Sequence, residues 1–303
     1  MADISSNLRD FISRHRLPAS FAEVAAKYYA PLAAWVYERT SNSGSGTFIL
    51  GISGGQGTGK TTLSNFVADC LQKAYGLIVA ELSIDDLYLT RAERTDLAQR
   101  VHPLLATRGV PGTHDVELGK AIIDKLCDLR AGETTALPRF DKSVDDRQPP
   151  DAWPEVTGAI DLVIFEGWCV GSMPQPVDDL ALPVNRLEAE EDSDCAWRRY
   201  VNEQLASSYG ELFSRCDALV FLKAPSFDAI YRWRLEQERK LAESIGAGAA
   251  HIMDEAEVAR FIQHYERITR QNLAHLPALA DVVLELDESH AVTRATSIRV
   301  AEV

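Results

Sequence analysis

Between residues 21 and 36, Phe21, Val24, Ala25, Tyr28, Leu32, Trp35 and Val36 recur three or four positions apart. That is the spacing of one face of a helix. Residues 1 to about 40 therefore predict helix, with a kink at Pro31, because proline has no N–H to donate. The run Ser41-Asn42-Ser43-Gly44-Ser45-Gly46 predicts a short flexible connector. Residues 1–46 thus read as an N-terminal helical extension and linker packed on the main domain. The pattern changes at Thr47. Thr47–Ile52 is a short apolar run ending in glycines, and Leu63, Phe66, Val67, Cys70, Leu71 and Ala74 then form a helical stripe closed by Gly76. Similar runs lie at Leu77–Ile84, Ile160–Phe165, Ala218–Leu222 and Val282–Leu286, with helical patterns between them. Continuous apolar strands alternating with helices predict an α/β fold over 47–303: a parallel sheet of about five strands, covered on both faces. Two long connections, 90–160 and 227–276, stand at the edge where such sheets bind ligands.

Composition narrows the function. The formal net charge is -14 over 303 residues. An acidic chain lacks the basic face that a nucleic-acid binder needs to displace counterions, but it can hold one local pocket for a small anion. The longest apolar runs fall far short of a membrane span. The five cysteines, 70, 127, 169, 195 and 216, form no C-x-x-C pair, so a reducing, cytoplasmic location is expected. The seven histidines form no metal spacing.

Gly54-Gly55-Gln56-Gly57-Thr58-Gly59-Lys60-Thr61 matches G-x-x-x-x-G-K-[ST], with an apolar strand before it and an amphipathic helix after it. That context is the one the phosphate-binding motif requires. Glycines let successive N–H groups turn inward around phosphates, and the helix start adds its positive dipole end. Gly54 through Thr62 are the expected nucleotide contacts, with Lys60 reaching the β- and γ-phosphates of ATP and Thr61 ligating Mg²⁺. A strand-borne carboxylate should complete the metal site. Asp161 begins the Ile160–Gly167 strand and Glu166 ends it; only the carboxyl end faces the loop, which selects Glu166. Asp85 and Asp86 end the second strand. If that run is extended, the two cannot point the same way. One would face the cleft as an acceptor for a hydroxyl proton, or the two would cap the next segment.

These residues, with Ser83–Tyr88 and Ile164–Gly167, resemble the kinase group that includes phosphoribulokinase, uridine kinase and pantothenate kinase. Three further segments, Gly109–Asp115, Leu137–Ser143 and Glu166–Gly171, resemble those of plant-type D-glycerate 3-kinase and its relatives. The resemblance implies a P-loop kinase-type fold with a helical lid at about 227–276. It implies Asp85 as catalytic base beside Lys60, Tyr88 as a substrate contact, and Arg232 and Arg234 as lid arginines, with Gly246 and Gly248 as hinges. It implies ATP and Mg²⁺, and a small-molecule acceptor, D-glycerate first.

Such an acid needs a cationic fork for its carboxylate. Arg139, Lys142 and Arg147 supply cations in one loop, and His114 supplies a donor. With Asp86, Asp115 and Asp141 these complete the candidate acceptor set. Two other readings stay open: Asp115 suits the N-cap of the helix Val116–Leu129, and the loop cations suit an ordinary solvated surface beside Asp141, Asp145 and Asp146. Another small metabolite as acceptor, or a non-enzymatic nucleotide switch, also remains open.

Overall fold

The sequence Phe48–Gly54 is buried at every position, so it must be a strand covered on both faces. It is β1 of a six-stranded sheet that continues with β2 (Val79–Ser83), β3 (Leu162–Gly167), β4 (Ala218–Lys223), β5 (Val282–Leu286) and β6 (Val292–Ser297). The computed structural model describes residues 4–44, 46–245 and 253–297. Strand order is β6-β5-β4-β1-β3-β2. The first five strands run parallel, as expected. The sixth, β6, pairs antiparallel with β5 at the edge.

Alternation along the strands feeds two cores. On one face, Leu50 and Ile52 of β1 and Leu162 and Ile164 of β3 pack with Leu63, Phe66, Val67 and Leu71 of α1 (Lys60–Tyr75). The N-terminal residues Phe11, Tyr29, Leu32 and Val36 join the same cluster. On the other face, Ile49, Val163 and Phe165 meet Ile122, Ile123 and Leu126 of α2 (Val116–Asp128). The edge that carries the strands' carboxyl ends is completed by α3 (Phe227–Ile245) and α4 (Glu255–His275), which pack together. The lid glycines Gly246 and Gly248 lie outside the described residues.

At Pro31, where a kink is expected, the helix is irregular but continuous. A π-turn, Ala25–Tyr29, immediately precedes Ala30–Asn42, and its wider path makes room for the ring and the missing N–H. The N-terminal helix instead ends before Arg16, which stands at φ 52, and Pro18. The connection Trp168–Asp217, which carries the amphipathic helix Ala196–Gln204, is pinned by two buried ion pairs. Arg198 binds Asp192 at 2.9 Å and Arg267 binds Glu188 at 2.7 Å. No described helix is long and apolar enough to cross a membrane, and the five cysteines are free.

His264, on α4, is buried against the edge of Trp197, and its Nε2 lacks a partner among the described residues. Burial pulls its pKa down to about 4. The unfolded chain then binds a proton near pH 6.5 that the native state refuses, so stability is full above that pH and falls as pH drops toward 4. Buried carboxyls whose pKa is raised, such as Glu81 and Glu166, act in the opposite sense. A variant comparison separates the two. Between pH 7 and 5 the wild type should lose about 2 kcal/mol more than His264→Gln in urea titrations. Equal losses would remove His264 from the acid response.

Candidate active site

The loop between β1 and α1 is bent by glycines. Gly57 and Gly59 have φ of 79° and 86°, a region open to glycine at little cost. A Cβ at Gly57 would stand 2.8 Å from Trp233 Cβ of α3, so the loop also needs glycine to let that helix approach. A glycine-bent loop leading into the start of a helix is an anion-binding arrangement. Thr58 Oγ1 and Lys60 Nζ both donate to the Gly55 carbonyl, at 2.8 and 3.1 Å. Burial pulls the Lys60 ammonium below its ordinary pKa, and Glu166 and Asp85 oppose that pull.

Register places the next two groups. Ser83 of β2 lies opposite Glu166 of β3, and Ser53 of β1 lies opposite Gly167, so the Glu166 carboxylate and the turn after β2 reach the loop at one edge. Thr61 Oγ1 donates to Glu166 Oε1 at 3.4 Å. Burial raises the Glu166 pKa, against the attraction of Lys60. A hydroxyl and a carboxylate side by side are hard oxygen donors, and they fit Mg²⁺. Asp161, at the other end of β3, accepts from Ile78 N and serves the strand.

Asp85 and Asp86 lie in a 3₁₀ turn, Ile84–Leu87, rather than in an extended run. Their carboxylates diverge. Asp85 accepts from Lys142 Nζ at 2.6 Å and from Tyr88 Oη at 3.0 Å. Burial pushes the Asp85 pKa up, but the Lys142 ammonium outweighs it and the net shift is downward. Asp86 turns to Arg139 and to Phe140 N, both at 3.1 Å.

A cleft of about 370 Å³ joins these parts. Its walls include Gln56, Gly57, Lys60, Thr61, Asp85, Tyr88, Lys142, Glu166 and Arg234, all nominated by the sequence. They also include Arg108, Gln237, Phe261 and Tyr265, which no local motif marks. Four cations face two carboxylates here, in a chain whose net charge is -14. Such a basic pocket focuses anions.

The other candidates lie behind the wall. His114 is buried, stacks on Tyr88 at 4.4 Å and meets Tyr209 Oη through Nδ1 at 2.7 Å. Burial pulls its pKa down to about 3, so it is neutral at ordinary pH. Asp115 caps α2 by accepting from Leu118 N at 2.9 Å and also accepts from Arg147. Arg147 donates to the Tyr88 carbonyl as well. Asp141 closes its own turn onto Ser143. Arg232 pairs with Glu288, whereas Arg234, two residues further along α3, lines the cleft.

Strand, glycine loop, helix and two carboxylates at one sheet edge define the fold class of the P-loop NTPases. An uncharacterized kinase of Schizosaccharomyces pombe is 36% identical over 225 residues, covering 72% of this chain and 78% of that one. The chain belongs to the kinase family of that protein. The chloroplastic D-glycerate 3-kinase of Arabidopsis thaliana is 31% identical over 267 residues, 83% of this chain. This chain spans 54% of that enzyme's length. The solved D-glycerate 3-kinase of Cryptococcus neoformans matches with a TM-score of 0.72 at 24% identity, over 90% of this chain and 99% of that one. No protein-family model matches the chain.

Proposed function

We propose that the protein transfers the γ-phosphoryl group of ATP to a hydroxyl of a small hydroxy acid, D-glycerate first, giving 3-phosphoglycerate and ADP. The observation that carries this reading is Asp85, a cleft carboxylate held by Lys142 and Tyr88 on one side and within electrostatic reach of Lys60 on the other. In this reading the amides of residues 54–62 and Lys60 hold the triphosphate. Asp85 accepts the proton of the attacking hydroxyl, a role worth roughly 10²–10⁴-fold. Its lowered pKa keeps it ionised at neutral pH. Thr61 and Glu166 would hold Mg²⁺, which supplies charge neutralisation on the phosphates when bound. Arg234 stands on the helix that touches the loop and is the lid arginine we favour over Arg232. The names of the Arabidopsis and Cryptococcus relatives support glycerate as the acceptor.

We read residues 47–303 as one kinase domain carrying the 1–46 extension, and the free cysteines fit a reducing compartment such as the cytosol. The test is ADP release by purified protein with ATP, Mg²⁺ and a panel of hydroxy acids and nucleosides. D-Glycerate should stimulate release most. Steady hydrolysis that no acceptor stimulates would overturn the kinase reading in favour of a nucleotide switch.

A further inference from the structure

The sequence nominates Arg139 and Arg147 for the carboxylate fork, but both are committed elsewhere. Arg139 binds Asp86 and the Pro138 carbonyl. Arg147 binds Asp115 and the Tyr88 carbonyl. Neither lines the cleft, whereas Arg108 does. We infer that Arg108 is the residue that binds the acceptor's carboxylate and so selects an acid substrate; this rests on the kinase reading above.

The site is built around that guanidinium. It lies over the Phe140 ring at 5.6 Å and pairs with Asp145. Asp145 is in turn held by Arg94, which is 1% exposed, at 2.9 Å. The Arg108 carbonyl accepts from Tyr265 Oη at 3.2 Å, and the next carbonyl, that of Gly109, accepts from Trp168 Nε1 at 2.9 Å. Backbone and side chain are thus both fixed before any ligand arrives. Burial pushes the Tyr88 and Tyr265 phenols up, and the Arg108 charge pulls both back. The cation therefore acts on two hydroxyls of the same wall as Asp85.

A guanidinium carries five donors in a planar fork. Asp145 engages only one edge of it, leaving donors for a carboxylate. The other cleft arginine is placed differently. Arg234 sits on α3, which touches Gly57 through Trp233, and pairs with Glu238. One arginine thus serves the phosphate end and one the acceptor end, with Asp85 and Glu166 lining the same cleft.

The experiment is steady-state kinetics of the full chain, Arg108→Gln and Arg108→Lys, with D-glycerate and with glycerol, in which a CH₂OH group replaces the carboxylate. Binding of a non-hydrolysable ATP analogue is measured in parallel and reports that each variant is folded. For Arg108→Gln the KM for D-glycerate should rise roughly 10- to 100-fold, the scale of one lost charge-assisted bond. Its kcat should change only a few-fold, and the preference for acid over glycerol should collapse. Arg108→Lys should restore part of that preference, because it keeps the charge and loses the fork. An unchanged KM and preference, in an enzyme whose wild type uses the acid, overturns this inference alone. A fall in kcat shared by both acceptors with KM unmoved also overturns it, placing Arg108 on the transferred phosphoryl group. A wild type that uses no hydroxy acid overturns this inference together with the reading it rests on.

Discussion

Asp85→Asn is expected to lower turnover by at least ~100-fold while leaving the affinity for a non-hydrolysable ATP analogue within about twofold. The amide keeps the shape of the side chain and can still accept from Tyr88 Oη, which donates to Asp85 at 3.0 Å. It loses the charge that holds Lys142 at 2.6 Å and cannot take a proton. The nucleotide contacts we propose come from a different element, the β1–α1 loop, so they should survive. Single-turnover kinetics with D-glycerate and analogue calorimetry together check the prediction. Unchanged turnover would remove Asp85 from the chemistry. A parallel loss of analogue affinity would mean that the substitution distorts the cleft instead.

The second large effect falls outside the cleft. Arg94 is buried and donates to three carbonyls, Leu89 at 3.2 Å, Ala106 at 2.8 Å and Asp145 at 2.8 Å, besides pairing with the Asp145 carboxylate. These lie in three separate loops. Arg94→Met keeps much of the volume and leaves those acceptors without donors. Breaking a fully buried pair costs roughly 3–5 kcal/mol. Asp145 is partly exposed, and water can reach it, so we expect about 3 kcal/mol from urea unfolding. The KM for the acceptor should rise as well, because the loops bearing Lys142 and Arg108 lose their common tie. A loss under about 1 kcal/mol would show that water takes over those carbonyls without cost.

How much of the molecule is legible in its sequence depends on the range of the signal. The parallel strands and the glycine loop are legible because their signals are local: apolar runs of five or six residues, and one eight-residue motif before a helical stripe. Glu166 can be selected over Asp161 by strand polarity alone. The cap at Asp115 is legible for the same local reason. Arg108 and Tyr265 are not legible. They are 157 positions apart and meet only because α4 packs across the loop after Ala106. Arg139 and Arg147 look available because a charged loop gives no sign of which cations are already tied. Their partners, Asp86 and Asp115, lie 53 and 32 positions away. An extended run through Asp85 and Asp86 is the wrong geometry. Ser83 accepts from Asp85 N and starts a 3₁₀ turn instead, which sends the two carboxylates apart.

The two halves of the cleft are anchored differently. The half we propose for the phosphates rests on strand ends of the central sheet, between the two cores. The half we propose for the acceptor hangs on excursions at 108–115 and 137–147, tied by side chains such as Arg94 and Arg147. Loops of that kind tolerate replacement far better than a sheet does. Descendants of such a chain could therefore trade one hydroxylated metabolite for another by rewriting those two excursions, inheriting the phosphoryl-donor machinery intact.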